Sequence, residues 1–232
     1  MVAATDKKLT TSLLNKMRAS VLGANDGIVS TASVVMGVAG ATSNHQTIVT
    51  AGLAALVAGA LSMAVGEYVS VSSQSDAEKA YIAKEKQKLS DSPELELESL
   101  AAAYQEQGMT KKTALQVAKE VTKKEPLKAH LRMHFGIDPD DISSPMQAAI
   151  ASLVAFTVGG LVPFVAMVFS PEAWRVWATI IAVAVALTAT GYFSALAGEA
   201  ARGRAIARIL VGGLLAMIIT YFVGVLFGTT IG

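Results

Sequence analysis

The chain carries five runs of apolar residues long enough to cross a bilayer, at about 21–41, 48–71, 145–169, 176–198 and 209–229. A helix rises 1.5 Å per residue, so roughly 20 residues span the hydrocarbon layer, and only a helix satisfies its own backbone groups there. Runs of this length in a 232-residue chain that is 53% hydrophobic and 16% charged predict an all-α integral membrane protein with five transmembrane helices. The lipid bilayer is thus an expected partner.

Between the second and third runs the composition changes. Residues 73–145 are rich in Lys and Glu and contain no run long enough to span, which predicts a helical, water-exposed domain inserted between helices 2 and 3. Its helix signals are local. Ser92-Pro93-Glu94 places an N-cap before a first-turn proline, Gly108 closes that helix, Thr110 opens the next, and Glu125-Pro126 opens a third that Gly136 ends. Residues 73–90 read equally well as a continuation of the second span. The resulting plan is an arm at 1–19, a transmembrane hairpin at 20–72, the helical domain at 73–145 and three spans at 146–232. The arm reads either as an amphipathic lead-in lying on the membrane, on Leu9, Leu13, Leu14 and Met17, or as a plain topogenic segment. Its polar, mixed-charge start is unlike a cleavable signal.

Charge gives the orientation. Cations gather in the arm, in the 73–145 segment and at Arg202, Arg204 and Arg208, whereas the 42–47 turn has no Lys or Arg. The positive-inside rule then puts the N-terminus and the 73–145 domain in the cytoplasm and the C-terminus outside. A net charge of +1 and the lack of a basic cluster interleaved with aromatics argue against a nucleic-acid partner. Cysteine is absent, so disulfides, thiolate metal sites and Cys nucleophiles are excluded. No nucleotide loop and no Ser and His arrangement points to an enzyme, and no tightly bound cofactor is expected.

Thirteen of the 18 acids lie in residues 73–145, and Asp6, Glu172 and Glu199 lie at or beyond span ends. Asp26 and Glu67 are left inside the first two spans. A carboxylate there costs several kcal/mol unless it has a partner or a task. Both fall about 6 to 9 Å inside the cytoplasmic face at 1.5 Å per residue. Met63 lies four residues before Glu67 on the same helix face, and Ser30 and Ser33 continue the face of Asp26. Carboxylate oxygens with a softer sulfur suit a borderline divalent ion such as Fe²⁺, Mn²⁺ or Zn²⁺, and protons compete for the same oxygens. Against this stands the reading that the two acids snorkel to the interface or rest on helix-end amides, with Met63 as packing. Gly23-x-x-x-Gly27 and the small residues Gly59, Ala60, Ser62 and Gly66 permit close helix approach, for dimerisation or for the hairpin itself.

Arg18-Ala-Ser-Val-Leu-Gly-Ala-Asn-Asp-Gly-Ile-Val-Ser30 and Ala60-Leu-Ser-Met-Ala-Val-Gly-Glu-Tyr-Val-Ser-Val-Ser-Ser-Gln74 together resemble the paired signature of the vacuolar iron transporter family. The likeness extends in plan over nearly the whole chain. It implies a homodimer with a pathway at the dimer interface lined by the first two spans, moving Fe²⁺, and often Mn²⁺, out of the cytosol in exchange for protons. By motif, Asp26 and Met63 match pathway residues and Glu67 sits in the same motif. The family is found in vacuolar membranes, while the short termini here favour a bacterial plasma membrane.

The resemblance also implies a glutamate-rich metal-binding unit of three helices in the 73–145 region, with a Met-Met pair. Here the match is partial. Glu85, Glu94, Glu96 and Glu98 are available, but lysines interrupt the first helix, and the methionine pair is replaced by Ala129-His130-Leu131-Arg132-Met133-His134. His130 and His134 are spaced i, i+4, which puts both imidazoles on one side of a helix, a spacing common in metal sites. Glu85, Glu94, Glu98, His130 and His134 form the candidate set, and a solvated helix face is the competing reading. The alternative to transport is a membrane scaffold or metal sensor whose helical domain binds metal or a partner.

Overall fold

The computed structural model describes residues 11–197 and 201–231, and among these the secondary structure is entirely helical. Eight α-helices follow in order: α1 (Thr11–Ala41), α2 (His45–Asp91), α3 (Pro93–Glu106), α4 (Lys111–Lys124), α5 (Pro126–His130), α6 (Pro145–Phe169), α7 (Arg175–Ala197) and α8 (Arg202–Ile231). Five of them, α1, α2, α6, α7 and α8, are long and apolar enough to cross a membrane. The membrane-lying arm expected over residues 1–19 falls largely outside the described residues, and from Thr11 the chain already belongs to α1.

The chain divides into two compact units. One comprises residues 14–69 with 146 onward, the other Ser70–Pro145 together with the start of α1 through Leu13, and α2 contributes a part to each. The continuation of the second span beyond residue 73 is therefore what the chain adopts, as one uninterrupted helix of 47 residues.

In the first unit α1 is the central packing element. Ile28, Ala32, Val35 and Met36 of α1 form one core with Ile48, Met167, Val183, Leu187 and Met217, drawn from all four other spans. Glycine sets how closely α1 can be approached. A Cβ on Gly27 would lie 2.2 Å from the Phe156 carbonyl oxygen of α6, and one on Gly159 would lie 2.3 Å from the Ala24 carbonyl oxygen. Toward the other end of α1, a Cβ on Gly224 of α8 would lie 1.8 Å from the Gly37 carbonyl oxygen. The Gly23 to Gly27 pair thus serves contact with α6 within one subunit, and neither the hairpin nor dimerisation accounts for it. Gly59 of α2 faces the Phe156 ring, beside a smaller core of Leu56, Ala60 and Phe156.

The second unit follows its local signals closely. Thr110 caps α4 by accepting a hydrogen bond from the Thr113 amide, and Gly108 and Gly136 adopt φ of 96° and 67°, which favour glycine. Ser92 departs from expectation: its side chain makes no capping bond, and it is the single residue separating α2 from α3. Pro93 excludes the helical conformation for the residue before it, so the break falls there. A π-helical turn over Leu131–Phe135 extends α5, a widening that the i, i+4 pattern did not predict. The core of this unit is Leu100, Ala101 and Ala118, with Leu97, Tyr104, Leu115 and Met133 packed against it.

Candidate functional site

Two constellations of polar groups stand out, one in each unit. In the membrane-spanning unit, α1 and α2 frame a half-open cleft of about 590 Å³. Asp26 and Ser30 line it from α1, Ser62, Met63, Gly66 and Glu67 from α2, and Phe156 of α6 joins them. The i, i+4 spacings Asp26 to Ser30 and Met63 to Glu67 are what bring these groups to one side of each helix. Gly59 and Gly66 contribute no side-chain bulk, and a Cβ on Gly66 would meet nothing within 4 Å. The Ser30 hydroxyl donates to the Asp26 backbone carbonyl, which leaves its own lone pairs available.

Glu67 is buried, and its carboxylate accepts a hydrogen bond from an Arg18 guanidinium nitrogen 3.0 Å away. Sequence reasoning placed Glu67 in the pathway but missed this partner. Arg18 opens the first motif two helical turns before Asp26, so the spacing held the signal, but it read as one more topogenic cation.

In the Ser70–Pro145 unit, Glu85 of α2, Glu96 of α3 and His130 of α5 converge. One donor atom from each lies within 4.8 Å of the others. Glu85 and His130 are almost fully buried, with Glu85 Oε1 3.1 Å and Glu96 Oε2 3.6 Å from His130 Nδ1. Burial pushes the His130 imidazole below its ordinary value, while Glu85 pulls the other way. Burial thus favours the neutral ring, the form that can act as a ligand. Two carboxylates face Nδ1, the nitrogen that a metal ion among the three side chains would take, and the opposite nitrogen, Nε2, is buried without a hydrogen-bond partner. Lys88 Nζ lies 3.2 Å from Glu85 Oε2 and supplies a counter-charge.

This cluster differs from the candidate set read from sequence. His130 is fully buried, so the solvated-face reading does not hold for it. His134, Glu94 and Glu98 are exposed and stand outside the cluster. The His134 ring centroid is 5.6 Å from that of His130, but only His130 turns inward. Glu96 takes the place expected of Glu94 or Glu98, because it is the acid of the first α3 turn that faces the unit's interior.

The model of the VIT family matches residues 17–225. A protein of Acanthamoeba castellanii named vacuolar iron transporter is 40% identical over 94% of this chain and 81% of its own length. Vacuolar iron transporter homolog 2 of Arabidopsis thaliana is 38% identical over 88% of this chain and 81% of its own. Vacuolar iron transporter homolog 5 of Oryza sativa subsp. japonica is 37% identical, with 89% and 78% covered.

Proposed function

The chain belongs to the VIT family, and from that premise we propose that it exports a divalent transition metal, Fe²⁺ or Mn²⁺, from the cytosol in exchange for protons. The observation that carries this reading is the cleft between α1 and α2. It brings two carboxylates, a thioether and two hydroxyls to one surface inside the spans, in Asp26, Glu67, Met63, Ser30 and Ser62. Hard oxygens with one soft sulfur favour a borderline divalent ion over Mg²⁺ or K⁺. Oxygens that bind metal also bind protons, so an acidic far side releases the ion and returns protons through the same groups.

A homodimer completes the site. One cleft is open on one side, and isologous pairing sets each group opposite its twin, giving four carboxylates about the axis. The Ser70–Pro145 unit lies in the cytoplasm in this reading, where Glu85, Glu96 and His130 capture metal before it enters the membrane. Oxygen and imidazole nitrogen at such separations suit a borderline ion at about 2.0–2.2 Å from each donor. As a metal-loaded sensor without transport, the protein would need this cluster alone.

Counterflow in liposomes tests the reading. Purified protein is expected to carry Fe²⁺ or Mn²⁺ under an imposed pH gradient, and Asp26→Asn to stop it without loss of fold. If neither ion moves, while the intact protein still binds metal through Glu85, Glu96 and His130, the sensor reading replaces transport.

A further inference from the structure

Arg18 is 56% exposed, yet its guanidinium reaches a Glu67 carboxylate whose side chain is only 9% exposed. The contact joins α1 to α2 across 49 residues of sequence and closes on an acid that lines the transport cleft. A buried carboxylate needs a positive partner, and the cleft's cargo is itself a cation. Both cannot hold the same oxygens. A guanidinium does not shed its proton at any physiological pH, so it can leave only by moving. Its exposure and flexible stem make that movement inexpensive, because a guanidinium at the very end of a span can snorkel to the interface.

We propose that Arg18 is a resident counter-cation for Glu67, which an entering divalent ion must displace, and that this exchange sets the cleft's selectivity for divalent over monovalent cations. The inference rests on the transport reading of the cleft. Its logic is a charge count. Asp26 and Glu67 in their ionised forms, with Arg18 in place, leave one net negative charge. A divalent ion that replaces the guanidinium brings the cleft to neutrality, whereas K⁺ or Na⁺ only exchanges one single charge for another. A monovalent ion therefore gains little to offset losing its hydration shell, and the arginine keeps it out. Between turnovers the same contact keeps Glu67 from being left as an unpaired charge in low dielectric.

Mn²⁺ binding to the detergent-solubilised full chain, followed by the loss of the free-ion electron paramagnetic resonance signal, tests this directly. The measurement is made at about pH 8, where protons compete least for the carboxylates. Arg18→Gln is expected to tighten Mn²⁺ binding about tenfold, equivalent to about 1.4 kcal/mol. It is also expected to make binding sensitive to roughly 100 mM K⁺ beyond the general effect of ionic strength, with the wild type in choline chloride as reference. In a Glu67→Gln background the same substitution should change nothing, since its target is gone. Unchanged or weaker Mn²⁺ binding in Arg18→Gln overturns the proposal and makes Arg18 a structural tie between α1 and α2. Should that variant fail to fold, Arg18→Lys decides: its shorter ammonium reaches Glu67 less well, so binding should tighten several-fold, and no tightening overturns the proposal. Liposome uptake by the wild type separates the two levels, because a protein that binds Mn²⁺ but moves none removes the transport reading while the binding comparison still judges Arg18.

Discussion

At the residue scale the cleft acids and the buried histidine are expected to do different work, and substitution separates them. Asp26→Asn replaces an anionic oxygen with a neutral amide and is expected to lower liposome uptake of Mn²⁺ by roughly two orders of magnitude. Met63→Leu keeps the volume but removes the sulfur. Its expected effect is about tenfold on Fe²⁺ uptake and smaller on Mn²⁺, the harder ion, and equal losses for both would make Met63 packing only. In an Asp26→Asn background, which silences the cleft, Glu96→Gln should weaken calorimetric Co²⁺ binding to the full chain about 10- to 100-fold, while Glu94→Gln, Glu98→Gln and His134→Ala leave it unchanged. The contrast follows from orientation. That Asp26 and Glu67 would stand apart was legible in the sequence because a carboxylate inside an apolar run is conspicuous at once, and Met63 joined them by its spacing from Glu67; the fold brings all three to one cleft. Arg18 and Glu96 were not legible, because each sits among other charges, and only the fold decides which charge turns inward.

At the element scale the five spans and the turns of the Ser70–Pro145 unit were legible, since hydropathy, prolines and glycines act on the chain locally. What each helix touches was not. Gly23 and Gly27 announce a close approach, but sequence spacing is the same whether the neighbour is α2, α6 or a second copy, and α6 is the answer. Gly27→Ala drives a methyl into the α6 backbone, so the apparent melting temperature of the solubilised protein should fall, reflecting about 1–3 kcal/mol of overpacking. Gly66→Ala, which meets open space inside a helix, should leave melting unchanged or raise it slightly, because Ala is the better helix former. A rise in both would mean that helix propensity, which favours Ala over Gly, and not packing governs these positions. The π-helical turn after α5 escaped for a related reason: its five residues read as ordinary helix, and the widening follows from packing.

At the scale of the whole molecule, the decisive matter is whether two copies share one pathway. The Asp26 to Glu67 cleft is open on one side, and the neighbouring α2 residues Leu61, Val65 and Val69 are exposed apolar side chains. Lipid satisfies such a surface as well as protein does, so apolarity alone does not choose between them. The polar groups do. The Asp26 carboxylate and the Ser62 hydroxyl facing acyl chains would be costly, and so would the Arg18 and Glu67 pair, whereas facing their twins they line a hydrated, charged passage. Because the chain has no cysteine, a single introduced thiol reports on this without background. Ser62→Cys, on the exposed side of α2 and in the cleft, should give a covalent dimer on mild oxidation in native membranes, and added Mn²⁺ should alter the yield by occupying the space between the two thiols. Val185→Cys on α7, equally exposed but far in sequence from any polar lining, should remain monomeric on a denaturing gel. Cross-linking of both alike would indicate random collision in the membrane. Cross-linking of neither, with metal uptake intact, would mean that each subunit carries its own pathway, and Met63 with Asp26 and Glu67 of one chain would then have to complete the metal's shell with water.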